Sequence, residues 1–346
     1  MIVFLLKIQI YFQLTNERMD VMQKTRAYIK GTGSYVPPKI LKNDFFEKVG
    51  SSDEWIFKNL GIRERRIAQG EVTSDLAYKA GLKALENTDV TPKDIDLIIV
   101  ATSTPDRQAP STACFVQEKM EAPQAVAFDI SAVCSGGLYG IAIGCQFIET
   151  GMYKNVLVIG ADTFSTITDW ERKDSVFFGD GAGAILLSAT TEDKGFFDFK
   201  LHADGTGKYH FNIPAGGSEM PASEETLKQR LHYFQMNGKE VFETATRVLP
   251  ETINEILGAN RLTSDSVDWV IPHQPSIRIL QETARKTNIP FEKVMTNMDK
   301  YANTSGGTIP IVLDETYKSG KIQPGNILLF AAVGSGWTWG TALYKV

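Results

Sequence analysis

The feature that most restricts what this chain can fold into is that it repeats itself. Asp94-Ile-Asp-Leu-Ile-Ile resembles Ser266-Val-Asp-Trp-Val-Ile at an offset of 172 (266 − 94). Asn155-Val-Leu-Val-Ile-Gly-Ala resembles Asn326-Ile-Leu-Leu-Phe-Ala-Ala at an offset of 171 (326 − 155). Asp129-x-x-Ala-Val-Cys-Ser-Gly-Gly resembles Asp299-x-x-Ala-Asn-Thr-Ser-Gly-Gly at an offset of 170 (299 − 129). Three segments in the same order at nearly one spacing describe a duplicated chain, two similar halves packed about a pseudo-twofold axis. Under that symmetry Cys134 and Asn303 both stand at helix starts facing the axis. A thiol and an amide far apart in sequence then share one cleft.

Each half alternates strand-like and helix-like pieces, which argues for an α/β fold with buried sheets. Ile95–Ala101, apolar but for Asp96, suits a strand covered on both faces. Helices are expected over Ser74–Asn87, Thr112–Met120, Gly238–Leu257 and Ile277–Thr287, and strands over Val156–Ala161, Val267–Pro272 and Ile327–Ala332. The expected division is an extension outside the fold at residues 1–24, a first half at 25–194 and a second at 195–346. With 346 residues, 43% of them hydrophobic, both halves can bury a full core. A net charge of −5 gives no case for nucleic-acid binding. Three cysteines are too few and too odd for a disulfide framework, so a reducing compartment such as the cytoplasm is expected. Residues 1–14 are apolar but too short to span a bilayer.

Cys134 sits where the short strand Val126–Ile130 meets an apolar helix over residues 135–149. A thiol at a helix N-terminus feels the positive end of the dipole, which lowers its pKa and raises its thiolate fraction. The small residues around it let a substrate approach the sulfur. Taken alone it reads more readily as a buried cysteine in a Gly-rich turn. Of the four histidines, only His273 directly follows a buried strand, at the C-terminal end where α/β folds place ligands. Gly179-Asp-Gly-Ala-Gly lacks the spacing and the following helix of a phosphate loop and reads as a turn into a strand. No His/Cys cluster has metal-ligand spacing, and no metal or cofactor is expected.

Six segments together resemble a β-ketoacyl-acyl-carrier-protein synthase III. They are Ser52-Asp-Glu-Trp-Ile with Gly61-Ile-Arg-Glu-Arg-Arg-Ile, the unit around Cys134, Gly179-Asp-Gly-Ala-Gly, His273-Gln, Tyr301-Ala-Asn-Thr-Ser and Gly336-Trp-Thr-Trp-Gly-Thr-Ala-Leu. The resemblance runs from about residue 26 to 346. It implies the thiolase fold, two α/β halves in five αβαβα layers, and a homodimer acting with acyl carrier protein and an acyl thioester, either acyl-CoA or a carrier-bound acyl group. Carried over by position, Cys134 is the nucleophile and His273 and Asn303 are the decarboxylation pair. The oxyanion hole is then the backbone N–H of Cys134 and of Ser335. Trp55 and Arg172 match the pair that flanks the CoA adenine, and Ser276 falls at a pantetheine position. Ala109 would form the end wall of the partner subunit's acyl pocket, where members restricted to short primers often carry Phe. An acidic carrier is expected to dock on Arg278, Arg285 and Lys286, on one helix after His273.

Such an enzyme takes an acyl group onto a thiolate, then decarboxylates a malonyl thioester and joins the resulting carbanion to the acyl group. Three departures narrow the expectation. The histidine motif continues Gln-Pro-Ser rather than Gln-Ala-Asn. Asn59 replaces a phosphate-facing Arg, so weak use of acyl-CoA is expected. Glu243 replaces a lysine of the carrier face. The runner-up is a condensing enzyme of a secondary lipid or polyketide pathway with a longer or unusual acyl donor. A Cys-His-Asn thioester hydrolase and a non-catalytic homologue that only binds carrier or acyl chains are the remaining alternatives.

Overall fold

The computed structural model describes residues 25–346; the extension expected at 1–24 lies outside the described residues. Two mixed sheets organise it. The first takes β1 (Arg26–Tyr35), β2 (Leu97–Ala101), β3 (Val126–Ile130), β4 (Asn155–Asp162) and β5 (Gly181–Thr190), in the order β1-β5-β4-β2-β3. The second takes β6 (Gly195–Ala203), β7 (Trp269–Pro272), β8 (Ile327–Gly334) and β9 (Thr338–Lys345), in the order β7-β8-β9-β6. In the first sheet β2 runs parallel to both β3 and β4, and in the second β7 runs parallel to β8. The remaining neighbours are antiparallel.

Period-two alternation explains the layering, because every core strand is apolar on both faces. In β2, Leu97 and Ile99 face the middle of the molecule while Ile98 and Val100 face outward. In β8, Leu328 and Phe330 face the middle and Leu329 and Ala331 face the opposite outer side. The helices complete five layers. Helices α1 (Thr73–Leu85) and α2 (Thr112–Lys119) cover the first sheet. Helices α3 (Gly136–Glu149) and α6 (Thr308–Lys318) fill the centre. Helices α4 (Gly238–Ala259) and α5 (Ile277–Thr287) cover the second sheet. The helix α3 is almost uncharged because it is packed between two sheets.

The duplication is present, at a single spacing. Asp96 Oδ2 accepts the amide of Asn155, and Asp268 Oδ2 accepts that of Ile327, pairs related by 172 residues (268 − 96, 327 − 155). Val133 and Ser305, both in left-handed backbone at φ 47° and 51°, open the 3₁₀ turns that lead into α3 and α6, again 172 apart (305 − 133). The offsets of 171 and 170 read from the motifs are therefore corrected to 172. Cys134 is matched by Gly306, and Asn303 stands two residues before its turn rather than at a helix start. The motif alignment slipped because Ser-Gly-Gly recurs on both sides of the shift. Sequence reading also missed the helix Asp53–Leu60 and the hairpin of Lys39–Lys42 with Glu64–Ile67. No described helix is long and apolar enough to cross a membrane.

Candidate active site

Cys134 lies in the turn between β3 and α3, buried at the inner end of a pocket of about 320 Å³. His273 and Asn303 line the same pocket. Three segments separated by up to 169 residues (303 − 134) thus meet at one point, the convergence the repeat implied.

Each member is held by its own local bonds. The His273 amide donates to Ala331 O at 2.8 Å, extending the β7–β8 pairing by one residue. Its Nδ1 stands 2.7 Å from Thr308 Oγ1, which leaves Nε2 as the ring nitrogen without a partner among the described residues. Thr308 Oγ1 also lies 2.9 Å from Ser305 O. A hydroxyl has one proton. Given to Nδ1, it leaves Nε2–H as a donor; given to Ser305, it leaves Nε2 as a bare acceptor. Asn303 is clamped by backbone: its N–H donates to Phe177 O at 3.1 Å and its O accepts from Gly179 N at 3.0 Å. Its Oδ1 accepts the Ser305 amide at 2.7 Å, so its Nδ2 is free to donate beside Cys134.

Burial corrects one expectation. Desolvation, opposed by the Ser305 side chain and reinforced by the Asp162 carboxylate, pushes the Cys134 thiol up to about 12, so loss of solvent outweighs the helix dipole. Burial also drives His273 down to about 3, so the ring is neutral at physiological pH. A neutral imidazole and a carboxamide are donors suited to a developing enolate.

The loop after β8 runs against the nucleophile. A Cβ on Gly334 would stand 3.1 Å from Cys134 N and 2.8 Å from Ser135 N. Ser335, the next residue, lines the pocket. The walls are aromatic: Phe177, Phe178, Phe211, Phe242 and Trp337. Behind them Phe164, Phe178, Phe211 and Phe234 form one buried cluster. Sequence reading passed over this wall. The pair Phe177-Phe178 and the spaced Phe211 and Phe234 were its only signal.

At the mouth the expected contacts are partly rearranged. Trp55 is there and exposed, but the cation over its ring is Lys173, 5.7 Å from the centroid. Arg172 does not line the pocket and turns to Asp174 at 2.7 Å. Asn59 accepts a hydrogen bond from Arg278 Nη1 at 3.2 Å, so a guanidinium stands beside it. Ser276 lines the pocket, with its oxygen capping α5. The basic trio does not present one free face. Arg278 lines the pocket, Arg285 is held two-pronged by Glu282, and Lys286 donates to Thr246 O. Glu243 pairs loosely with Lys239. Ala109 is exposed on the loop between β2 and α2, away from the pocket of its own chain, where the neighbouring Gln108 binds Gly216 O.

Comparison with known proteins agrees with this geometry. Family models described as 3-oxoacyl-[acyl-carrier-protein (ACP)] synthase III match residues 128–205 and, for the C-terminal part, residues 257–346. A beta-ketoacyl-[acyl-carrier-protein] synthase III of Caldanaerobacter subterraneus is 49% identical over 326 residues, 93% of this chain and 98% of that protein. The protein of the same name from Clostridioides difficile is 46% identical over 324 residues, 93% and 98% of the two chains. The crystal structure of 3-oxoacyl-[acyl-carrier-protein] synthase III from Aquifex aeolicus superposes with a TM-score of 0.85 at 40% identity, covering 92% of this chain and all of that one. Identity of that degree over nearly the whole of both chains does not arise from a shared fold alone: this chain is an acyltransferase of the 3-oxoacyl-[acyl-carrier-protein] synthase III family, with the family's thiolase fold.

Proposed function

We propose that the chain moves an acyl group from a thioester onto Cys134, then condenses it with malonyl-acyl carrier protein, in fatty acid initiation or a related pathway. The observation that carries this reading is the convergence of Cys134, His273 and Asn303 in one dry pocket, with Nδ2 of Asn303 and Nε2 of His273 free. In the first half-reaction the sulfur attacks the thioester carbonyl, and the Cys134 and Ser335 amides receive the oxyanion. In the second, loss of CO2 puts negative charge on the malonyl thioester oxygen, and His273 and Asn303 donate to it. The carbanion attacks the acyl carbon and the Cys134 sulfur leaves. Mass spectrometry of the intact protein after incubation with acyl-CoA and acyl-carrier thioesters tests the reading. Acyl mass on Cys134 is the expected result, and free acid without acyl-enzyme would favour a hydrolase. Three unpaired cysteines suit the reducing cytoplasm.

Carrier docking on Arg278 follows from its place at the mouth. Arg278→Glu should raise the KM for carrier substrates by about 10- to 100-fold, the worth of a lost charge-assisted contact of about 1.5–3 kcal/mol. The effect should shrink with added salt. Arg285→Glu should change KM little, because Arg285 already pairs with Glu282. Equal effects from the two would place docking on the helix as a whole.

The specialised reading gains from Ala109 and from β3, an apolar strand at the edge of its sheet with Val126 48% exposed. A second copy pairing at that edge would form the homodimer and carry its Ala109 loop toward this pocket. With Ala in place of a phenyl ring, the pocket deepens. Four further buried methylenes at about 0.8 kcal/mol each favour the longer chain by roughly 3 kcal/mol, or ~100-fold. Loading should therefore rise from two-carbon to medium-chain thioesters, and Ala109→Phe should return the optimum to short ones. A wild-type profile peaking at acetyl would refute the open pocket.

A further inference from the structure

The turn between β8 and β9 lies against the nucleophile turn, and a single side chain carries the hydrogen bonding between them. The approach is close. A Cβ on Gly334 would stand 2.8 Å from Ala132 O, 2.8 Å from Ser135 N and 3.1 Å from Cys134 N, so the two backbones meet with nothing between them. Among the described residues, each hydrogen bond from residues 132–135 to this turn ends on Thr338 Oγ1. That oxygen stands 2.7 Å from Ser135 Oγ, 3.3 Å from Ala132 O and 3.1 Å from Ser335 O. The other tethers of the turn lead elsewhere. Trp337 exchanges both backbone bonds with Asp204, at 2.6 and 2.8 Å, and the Ser335 hydroxyl donates to Phe211 O.

The proton count gives this bridge a direction. Each hydroxyl has one proton to donate. Ser135 Oγ also lies 2.8 Å from Ala132 O, but that oxygen already accepts the Ser135 amide at 3.1 Å. Only one assignment makes hydrogen bonds of both links: Ser135 donates to Thr338 Oγ1, and Thr338 donates to Ser335 O. The chain of bonds then runs from the nucleophile turn to the residue after Gly334. The sheet holds Thr338 independently of it. Thr338 opens β9 opposite Gly334 on one side and Ala203 on the other, and its β-branched side chain suits a strand. The backbone of Thr338 is therefore a fixed post from which the hydroxyl reaches both turns.

We propose that Thr338 is a positioning residue for acyl transfer: its hydroxyl aligns the nucleophile turn with the β8–β9 turn, so that the Cys134 and Ser335 amides meet one oxyanion. The proposal rests on the reading that Cys134 takes the acyl group and that these two amides form the oxyanion hole. Two donors act together only when both reach the same oxygen at about 2.7–3.1 Å. Here one amide belongs to the 3₁₀ turn before α3, and the other follows a strand of the second sheet. Gly334 sets how closely the two backbones pack, and the Ser135–Thr338–Ser335 chain sets how they are aligned. The decarboxylation pair is held by other bonds, His273 by Thr308 and Asn303 by Phe177 and Gly179. Loss of the Thr338 hydroxyl therefore reaches the acyl-transfer steps and leaves decarboxylation alone.

The test is single-turnover loading from butyryl-pantetheine, read by intact mass over a range of thioester concentrations, in wild type, Thr338→Val, Thr338→Ser and Ser135→Ala. Malonyl-pantetheine decarboxylation is measured on the same proteins. Thr338→Val keeps the branched shape and loses the hydroxyl. It should load about 100-fold more slowly at saturating thioester, the cost of misplacing a reacting group by about 1 Å. Its half-saturating concentration and its decarboxylation rate should stay within about threefold of wild type. Thr338→Ser restores the hydroxyl and should load within about threefold of wild type. Ser135→Ala should slow loading about tenfold, and adding it to Thr338→Val should cost no more than about threefold further, because both cut one chain. If Thr338→Val does not fold, Ser135→Ala carries the test, and loading at the wild-type rate overturns the proposal. So does a Thr338→Val protein that loads like wild type, a Thr338→Ser protein as slow as Thr338→Val, or an equal loss in loading and decarboxylation; each leaves Cys134 as the nucleophile. Absence of acyl mass on wild-type Cys134 overturns both readings.

Discussion

Cys134→Ala should end acyl loading while malonyl-thioester decarboxylation continues, and His273→Ala or Asn303→Ala should do the reverse. The split follows from which atoms are free. The sulfur is the only strong nucleophile in the pocket, so its removal leaves nothing to carry the acyl group. Asn303 spends Oδ1 on the Ser305 amide and keeps Nδ2, and His273 spends Nδ1 on Thr308 and keeps Nε2. Both act on the malonyl oxygen, after loading is complete. Each lost donor should slow decarboxylation about 100- to 1,000-fold, and the double variant should lose less than the product, because the two donors serve one oxygen. The pH dependence gives a second check. Since burial holds His273 down to about 3, decarboxylation should show no limb near the ordinary histidine pKa between pH 5 and 8. Full condensation by Asn303→Ala would remove Asn303 from the assignment.

Gly160→Ala should cost more stability than any other one-methyl change in the central layer. A Cβ there would stand 2.0 Å from Gly306 O, 2.5 Å from Gly306 C and 2.9 Å from Gly307 N. All three are backbone atoms in the turn that leads into α6, so no side chain can swing away. The strand and the turn must separate, and overpacking of this kind costs about 3 kcal/mol. In a chain of this size that lowers Tm by roughly 4 °C. Gly258→Ala is the control. It meets nothing within 4 Å near the end of α4 and should be neutral or stabilising by up to about 1 kcal/mol. Thermal unfolding of the two variants checks the contrast, and an unchanged Tm for Gly160→Ala would mean the turn can give way.

Local pattern determined a good part of this protein. The apolar run around Ile98 required a strand covered on both faces, and it lies between two parallel neighbours in its sheet. Ser276 followed by a strongly amphipathic stretch determined α5 at both ends, Ile277 and Thr287. The repeated segments determined that two matching turns would meet at one axis, with Cys134 in the first and Asn303 two residues before the second. These features are written in periods of two and 3.6 residues and in spacings along the chain, which a sequence displays directly.

Tertiary structure decided the rest. Which residue of the second turn matches Cys134 depended on the two strained residues Val133 and Ser305, and backbone strain is invisible in Ser-Gly-Gly repeats. The thiol's proton affinity was decided by desolvation, which outweighed the helix dipole once three layers closed over it. Arg278 came to hydrogen-bond Asn59 across 219 residues. Phe211 and Phe234 came from an irregular excursion with no periodicity to read. Asp162 reads as the last residue of a buried strand, and only the packing of the second turn against that strand set its carboxylate on the Gly306 amide. Burial and contact between distant segments are properties of the assembled layers, and the free energy of charging a group follows its surroundings rather than its neighbours along the chain.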